Sequence, residues 1–343
     1  MEVIRHKPAR AYDLAWLHKI KVVIYDIIST RSNIKKWCIL IHQRVSAICL
    51  QYWDILKDRQ LAWKCKVLNF RKENEVIMTV TALIFDLDNT LLSSDHADRM
   101  ALERLTTFLQ NKHPHLSVDE FETCLKAEAL SLFESYDFYD FTVMIGISPI
   151  EGLWGKFNDE TLRFPELDRH IRLYREKVWL RTLAALGIFD RRMAKVLELM
   201  YIAIRIETVL VYEDTFEVLD QLYEAYPLLL LTNDAPALQQ LKLRKVPKLR
   251  KYFKRIISSG DFGQGKPAPA LFDFALSRLQ ADKQTTLMVG DNLLTDVLGA
   301  NATGIRSVWL NRRNETLVAG INPDFIVHSL TDVLAIVEDE NKR

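Results

Sequence analysis

Glycine is absent from the first 77 residues of this 343-residue chain, and all eleven glycines lie at Gly146 or beyond. The same stretch has a single proline, Pro8. A segment without either residue has few ready turn formers, and it contains no motif or repeat. Cysteine is scarce throughout: Cys38, Cys49, Cys65 and Cys124 are far apart. That excludes a disulfide framework or a CxxC metal site, and reduced thiols suit the cytosol. Long hydrophobic runs are missing as well. The best apolar window, Trp37 to Trp53, is broken by His42, Gln43 and Arg44. A membrane span needs about 20 apolar residues, and a central Arg costs roughly 3 kcal/mol. No apolar core with a small-residue cleavage site follows Met1, and three serines in 77 residues are few for a transit peptide. The expectation is a cytoplasmic protein with no membrane partner.

What is present is globular: 49% hydrophobic and 27% charged residues. The net charge of +1 hides a division. Residues 1–77 hold 15 Lys and Arg against 7 Asp and Glu, a net +8, and the remaining 31 and 38 give −7. Three of the four cysteines and four of the seven tryptophans are also in the first part. The character changes at Met78, which is expected to be the native start. Residues 1–77 are then a basic extension outside the functional unit.

From Thr79 to Phe85 a β-branched apolar run predicts a buried strand. Three-to-four apolar spacing predicts helices over Asp98–Gln110, Ser117–Phe133, Pro165–Leu186 and Arg191–Ile206. Ser117 and Glu120 form a capping-box signature, and Gly146 and Gly187 suit helix ends. Ser148–Pro165 reads as loop. After Thr208, strands at Leu228–Leu231, Arg255–Ser258, Thr286–Val289, Ser307–Leu310 and Phe325–Val327 alternate with helices near Ala235–Leu243, Pro269–Leu279 and Leu294–Ala302. The pattern predicts an α/β fold, a Rossmann-like, doubly wound parallel sheet with an inserted all-helical domain. Its core is expected over residues 78–94 and 208–343, and the insert over 95–207.

Ligands of such sheets bind at the carboxyl ends of the strands. There the chain offers Asp86, Asp88 and Thr90 after the first strand, Thr232 and Asn233 after the second, Lys266 beyond the third, and Asp291 with Asp296 after the fourth. Clustered carboxylates repel one another unless a cation lies among them, and hard oxygen ligands suit Mg²⁺. A cation, a Lys and a hydroxyl together suit a phosphoryl group. One carboxylate is then free to attack phosphorus, and a second, two residues on, can serve as acid and base.

These four motifs resemble those of the haloacid dehalogenase (HAD) superfamily, specifically its phosphatases with a helical cap after the first motif. They stand as Asp86-Leu87-Asp88-Asn89-Thr90, Leu231-Thr232-Asn233, Lys266-Pro267 and Gly290-Asp291-Asn292-Leu293-Leu294-Thr295-Asp296. The resemblance implies that Asp86 is the nucleophile and a Mg²⁺ ligand, and that Asp88 is the acid/base with its carbonyl on the metal. It further implies that Thr232 and Asn233 bind substrate, that Lys266 balances charge between nucleophile and phosphate, and that Asp291 completes the metal site. Thr90 and Asp296 would give support. The segments Leu228–Asn233, Lys266-Pro267-Ala268-Pro269, Met288–Asp291 and Val308–Asn311 look like the branch that holds N-acylneuraminate-9-phosphatase and pyrimidine 5′-nucleotidases. Asp234 stands where that branch usually has Gly, which predicts a loop less tolerant of positive φ.

The implied enzyme is a Mg²⁺-dependent phosphatase that acts through an aspartyl-phosphate on a small phosphorylated metabolite, a sugar phosphate or nucleoside monophosphate. A sugar phosphomutase on the same scaffold is the rival, and a non-catalytic interaction module the alternative of another class. Other features have plainer readings. The aromatics Phe133, Tyr136, Phe138, Tyr139 and Phe141, like Trp154 and Trp309, are expected in the core. His96 is read as a hinge residue. The basic run Lys242 to Lys254 is read as a solvated helix face and not as a nucleic-acid site.

Overall fold

The computed structural model describes residues 79–342. Every expectation about residues 1–77, and about Met78 as the start, lies outside the described residues.

The first strand, β1 (Ala82–Phe85), is followed by a helical segment. This comprises α1 (Ser94–Gln110), α2 (Val118–Glu134), α3 (Tyr139–Ile145), the one-turn helix Pro149–Gly152, α4 (Phe164–Ala185) and α5 (Arg191–Glu207). Then come α6 (Thr215–Leu222), β2 (Leu228–Thr232), α7 (Pro236–Lys245), one turn at Pro247–Arg250, β3 (Arg255–Ser258) and another turn at Ser259–Phe262. The chain ends with α8 (Pro269–Leu279), β4 (Thr286–Gly290), a π-turn at Leu293–Val297, α9 (Leu298–Thr303), β5 (Arg306–Leu310), β6 (Phe325–Val327) and α10 (Asp332–Lys342).

The six strands form one parallel sheet in the order β3-β2-β1-β4-β5-β6. Side chains alternate across it with a period of two. Leu83, Phe85, Leu230 and Val289 face α6 and α10, whereas Ile84, Leu231 and Met288 face α8 and α9. Both faces are covered, so the strands read as continuous apolar runs. The order reverses direction at the β1/β4 boundary, which opens a crevice at the carboxyl edge.

The helical segment has its own core, in which Phe121, Phe133, Tyr174, Trp179 and Tyr201 are fully buried. Ser117 caps α2 by accepting from the Glu120 N–H, as its spacing predicts. Gly146 and Gly187 end α3 and α4 at φ 86° and 75°, conformations that cost other residues more. Of the aromatic run, Phe133, Phe138 and Phe141 are buried and Tyr136 and Tyr139 pack against them. Trp154 and Trp309 are buried too, and His96 is exposed on the first turn of α1.

Two expectations need correction. The segment after Ser148 is not all loop: Pro149–Gly152 is helical, because Ser148 and Glu151 form a complete capping box with Pro at the first turn. Asp234 also reaches φ 140° despite its side chain. Its carboxylate accepts from the Ala235 N–H at 2.6 Å, a local bond that offsets the strain.

Two connections join the helical segment to the sheet, and they run side by side. Leu92 bridges to Val211, and the Ser93 N–H donates to the Leu210 carbonyl. At the far side the end of α3 docks on the sheet's loops. The Gly265 N–H donates to the Met144 carbonyl, and the Ser259 hydroxyl to the Ile145 carbonyl.

Trp179 stacks between Phe121 and Tyr201, with ring centroids 6.2 and 5.4 Å away. Trp179→Ala is expected to cost about 3–5 kcal/mol in denaturant unfolding. Exposed Phe189 replaced by Ala should stay within about 0.5 kcal/mol of the parent.

Candidate active site

The carboxyl ends of β1 and β4 lie next to each other, so the residues that follow them meet. Asp86 comes directly after β1 and is anchored by its N–H donating to the Val289 carbonyl at 2.9 Å. Asp291 follows β4, and the π-turn bends Asp296 back beneath it. Oxygens of Asp86, Asp291 and Asp296 all lie within 4.8 Å of one another. Gly290 makes this possible: a Cβ there would come within 2.2 Å of the Asp296 carboxylate. The Thr90 hydroxyl accepts from the Asp291 N–H at 3.1 Å, and the indole N–H of Trp309 donates to the Asp291 carbonyl at 2.8 Å.

One cation enters the cluster from the opposite side. Lys266 Nζ lies 2.5 Å from Asp86 and 2.7 Å from Asp296, and it also donates to the Leu231 carbonyl. Its backbone is clamped by Asn233, whose amide accepts from the Lys266 N–H at 2.7 Å and donates to the Lys266 carbonyl at 2.9 Å. The Lys266–Pro267 peptide is cis. Thr232 is buried at the end of β2, its hydroxyl 3.3 Å from the Asn233 carbonyl.

Two buried carboxylates and the partly buried Asp291 against one buried ammonium leave negative charge uncompensated. Burial pushes Asp86 up to about 7, with Asp296 adding to the rise and Lys266 opposing it. Burial, together with Asp86 and Asp296, also raises Asp291 well above the usual carboxylate range. Arg313, half-exposed, reaches Asp291 only at 3.4 Å and is shared with Asp95 and Glu315.

Asp88 turns away from this cluster. Its carboxylate accepts from Lys242 Nζ at 2.8 Å, from the Gln239 amide at 3.1 Å and from the Ser94 hydroxyl. Burial alone would raise it, but Lys242 and these bonds outweigh burial and hold it below the usual range. The reading of Lys242 as part of a solvated basic face is therefore wrong for that residue: it is 3% exposed, whereas Arg244, Lys248, Arg250, Lys251 and Lys254 of the same run are exposed. Its ammonium also meets Glu151 at 3.2 Å and Asp234 at 3.8 Å. Leu241 and Leu243, buried on either side of it, were the available signal. A Lys between two apolar neighbours on the helix after Thr232-Asn233 is poorly placed to be solvated.

The edge thus carries two groups of charge, one around Lys266 with Asp86 and one around Lys242 with Asp88. A haloacid dehalogenase-like hydrolase model matches residues 80–304 and so spans Asp86, Asp88, Lys242, Lys266, Asp291 and Asp296. The chain belongs to the haloacid dehalogenase-like hydrolase family. Within this HAD family it is 32% identical over 251 residues to the phosphoserine phosphatase of Thermus thermophilus, covering 73% of this chain and 96% of that one. It is 25% identical over 261 residues to the N-acylneuraminate-9-phosphatase of Homo sapiens, covering 76% and 94%. Among solved structures, a HAD-hydrolase of Bacillus subtilis bound to magnesium has the same fold. It superposes with a TM-score of 0.53 at 21% identity, over 76% of this chain and 99% of that chain.

The raised Asp86 has a consequence for stability. A carboxyl that titrates at 3.8 when unfolded and near 7 when folded favours the fold while it is neutral, and that contribution is lost as pH rises from about 4 through about 7. With chelator present, Asp86→Asn should therefore melt higher than the parent above pH 7. The gain should vanish below pH about 4, and thermal scans across that range check the sign.

Proposed function

We propose that this HAD hydrolase is a Mg²⁺-dependent phosphatase of small phosphorylated metabolites. The observation that carries the reading is the placement of Asp86, Lys266 and Asp291 at one strand edge, with Asp88 two residues past Asp86. The phosphatase names of the two similar relatives support it.

The donor set fits magnesium. Asp86 and Asp291 bring hard oxygen atoms close together and would hold the ion with the Asp88 carbonyl, while Asp296 pairs with Lys266. The upward push on Asp86 and Asp291 is the sign of a site short of positive charge. Bound there, Mg²⁺ supplies charge neutralisation for the phosphoryl oxygens. The remaining chemistry belongs to side chains. Asp86 in its carboxylate form, which Lys266 favours against burial, attacks phosphorus. Asp88, which Lys242 holds below the usual carboxylate range at rest, takes up a proton from solvent and passes it to the departing ester oxygen. The resulting aspartyl-phosphate is hydrolysed when Asp88 takes a proton from water. Thr232 holds the phosphoryl oxygens, Lys266 balances their charge with its backbone clamped by the Asn233 amide, and Thr90 keeps the Asp291 backbone in place. The helical segment over residues 95–207 acts as a cap that excludes water and selects the ester. We place the enzyme in the cytosol, with neither nucleic acid nor membrane as partner. The widely spaced cysteines support the compartment, and no helix among the described residues is long and apolar enough to cross a membrane.

A panel of phosphate esters, assayed for released phosphate with and without Mg²⁺, tests this. Activity should require Mg²⁺ and fall by at least about 1000-fold in Asp86→Asn. Activity that survives that substitution overturns the mechanism, and transfer without phosphate release would favour a mutase. Because Asp86 must lose its proton to bind a cation, Mg²⁺ affinity should rise with pH up to about 7 and level off above it. Calorimetry in buffers of different ionisation enthalpy reads the released proton.

A further inference from the structure

Resting on the phosphatase reading, we infer that Lys242 is a positioning residue for the acid/base Asp88 and ties its aim to the helical segment through Glu151. Gln239 and Lys242 are three residues apart on α7, on one face of the helix. Both donate to the same Asp88 oxygen, at 3.1 and 2.8 Å, while the other oxygen takes the Ser94 hydroxyl. Ser94 opens α1, so the carboxylate is gripped from both sides of the crevice. Lys242 then continues to Glu151 at 3.2 Å. Glu151 is itself fixed, since its second oxygen accepts from the Ser148 N–H at 3.0 Å in the capping box. A Lys ammonium has three donors and no acceptor; here carboxylates from β1's end, the one-turn helix and the β2–α7 loop all turn towards it. The Trp154 ring lies 5.8 Å away on the helical side and closes the site from that direction.

No residue that attacks phosphorus touches Lys242, whose effect must therefore pass through Asp88. A proton donor matters most when the leaving oxygen is basic. The test compares kcat/KM for p-nitrophenyl phosphate, a good leaving group, with phenyl phosphate, a poor one, at saturating Mg²⁺. Lys242→Met should lose at least about 10-fold more on phenyl phosphate, matching the selectivity of Asp88→Asn. Lys242→Arg should recover part of the loss, and Lys245→Met, a change at an exposed neighbour that pairs with Glu207, should be silent. If Lys242→Met does not fold because it leaves carboxylates unpaired, the double variant Lys242→Met with Glu151→Gln removes cation and anion together and should show the same selectivity. Equal losses on both esters in the folded variant overturn the inference and leave the phosphatase reading intact. A parent protein that hydrolyses neither ester overturns both.

Discussion

The site depends on a shortage of positive charge. Asp86, Asp291 and Asp296 are forced together by adjacent strand ends and by a π-turn, and one ammonium, Lys266, faces all of them. In water such a cluster would disperse. Here the adjacent strand ends and the π-turn hold it together, and Gly290 leaves the space that the Asp296 carboxylate fills. The strain is electrostatic more than steric, and in the proposed function it is what draws a divalent cation and, with it, an anionic ester. The overall acidity of residues 78–343, a net −7, adds to that demand.

A second charge group lies beside the first and solves a different problem. On the proposed mechanism, an acid/base beside a nucleophile must keep its carboxylate off the cation that the nucleophile's carboxylate holds. Asp88 is separated from Asp86 by being drawn towards α7, where Lys242, Gln239 and Ser94 hold it. The two aspartates of one D-x-D sequence thus acquire opposite shifts, one raised by burial among carboxylates and one lowered by an ammonium.

The amino-acid sequence carried most of this plan. The six strands fall within a few residues of where their apolar runs place them, because a sheet covered on both faces leaves so plain a pattern. The motif residues were legible because most lie at or just past the end of a strand, with Lys266 and Asp296 a few residues further on. Less legible were the features made by tertiary contact. The burial of Lys242 depends on Asp88, Glu151 and Asp234, which come from three distant segments. The helix at Pro149–Gly152 is four residues long, too short for any periodicity to register. Asp234 adopts its positive φ through one hydrogen bond to the next residue, a local geometry that composition does not disclose. Asn233 was expected at the substrate, and in the structure its amide is committed to the Lys266 backbone.

The position of β1 has a consequence for how the molecule is made. It lies in the middle of the sheet, hydrogen-bonded to β2 and β4, yet those partners begin at Leu228 and Thr286. A ribosome releases β1 with neither neighbour in existence. The helices that follow close mostly with one another and can collapse as soon as α5 emerges, since helical contacts are local and quick to form. The nucleophile's own strand must wait beside an already folded insert until the later strands arrive. The candidate active edge therefore assembles only once β4 and the π-turn have emerged, and the waiting strand is the stretch most exposed to wrong pairing in the meantime.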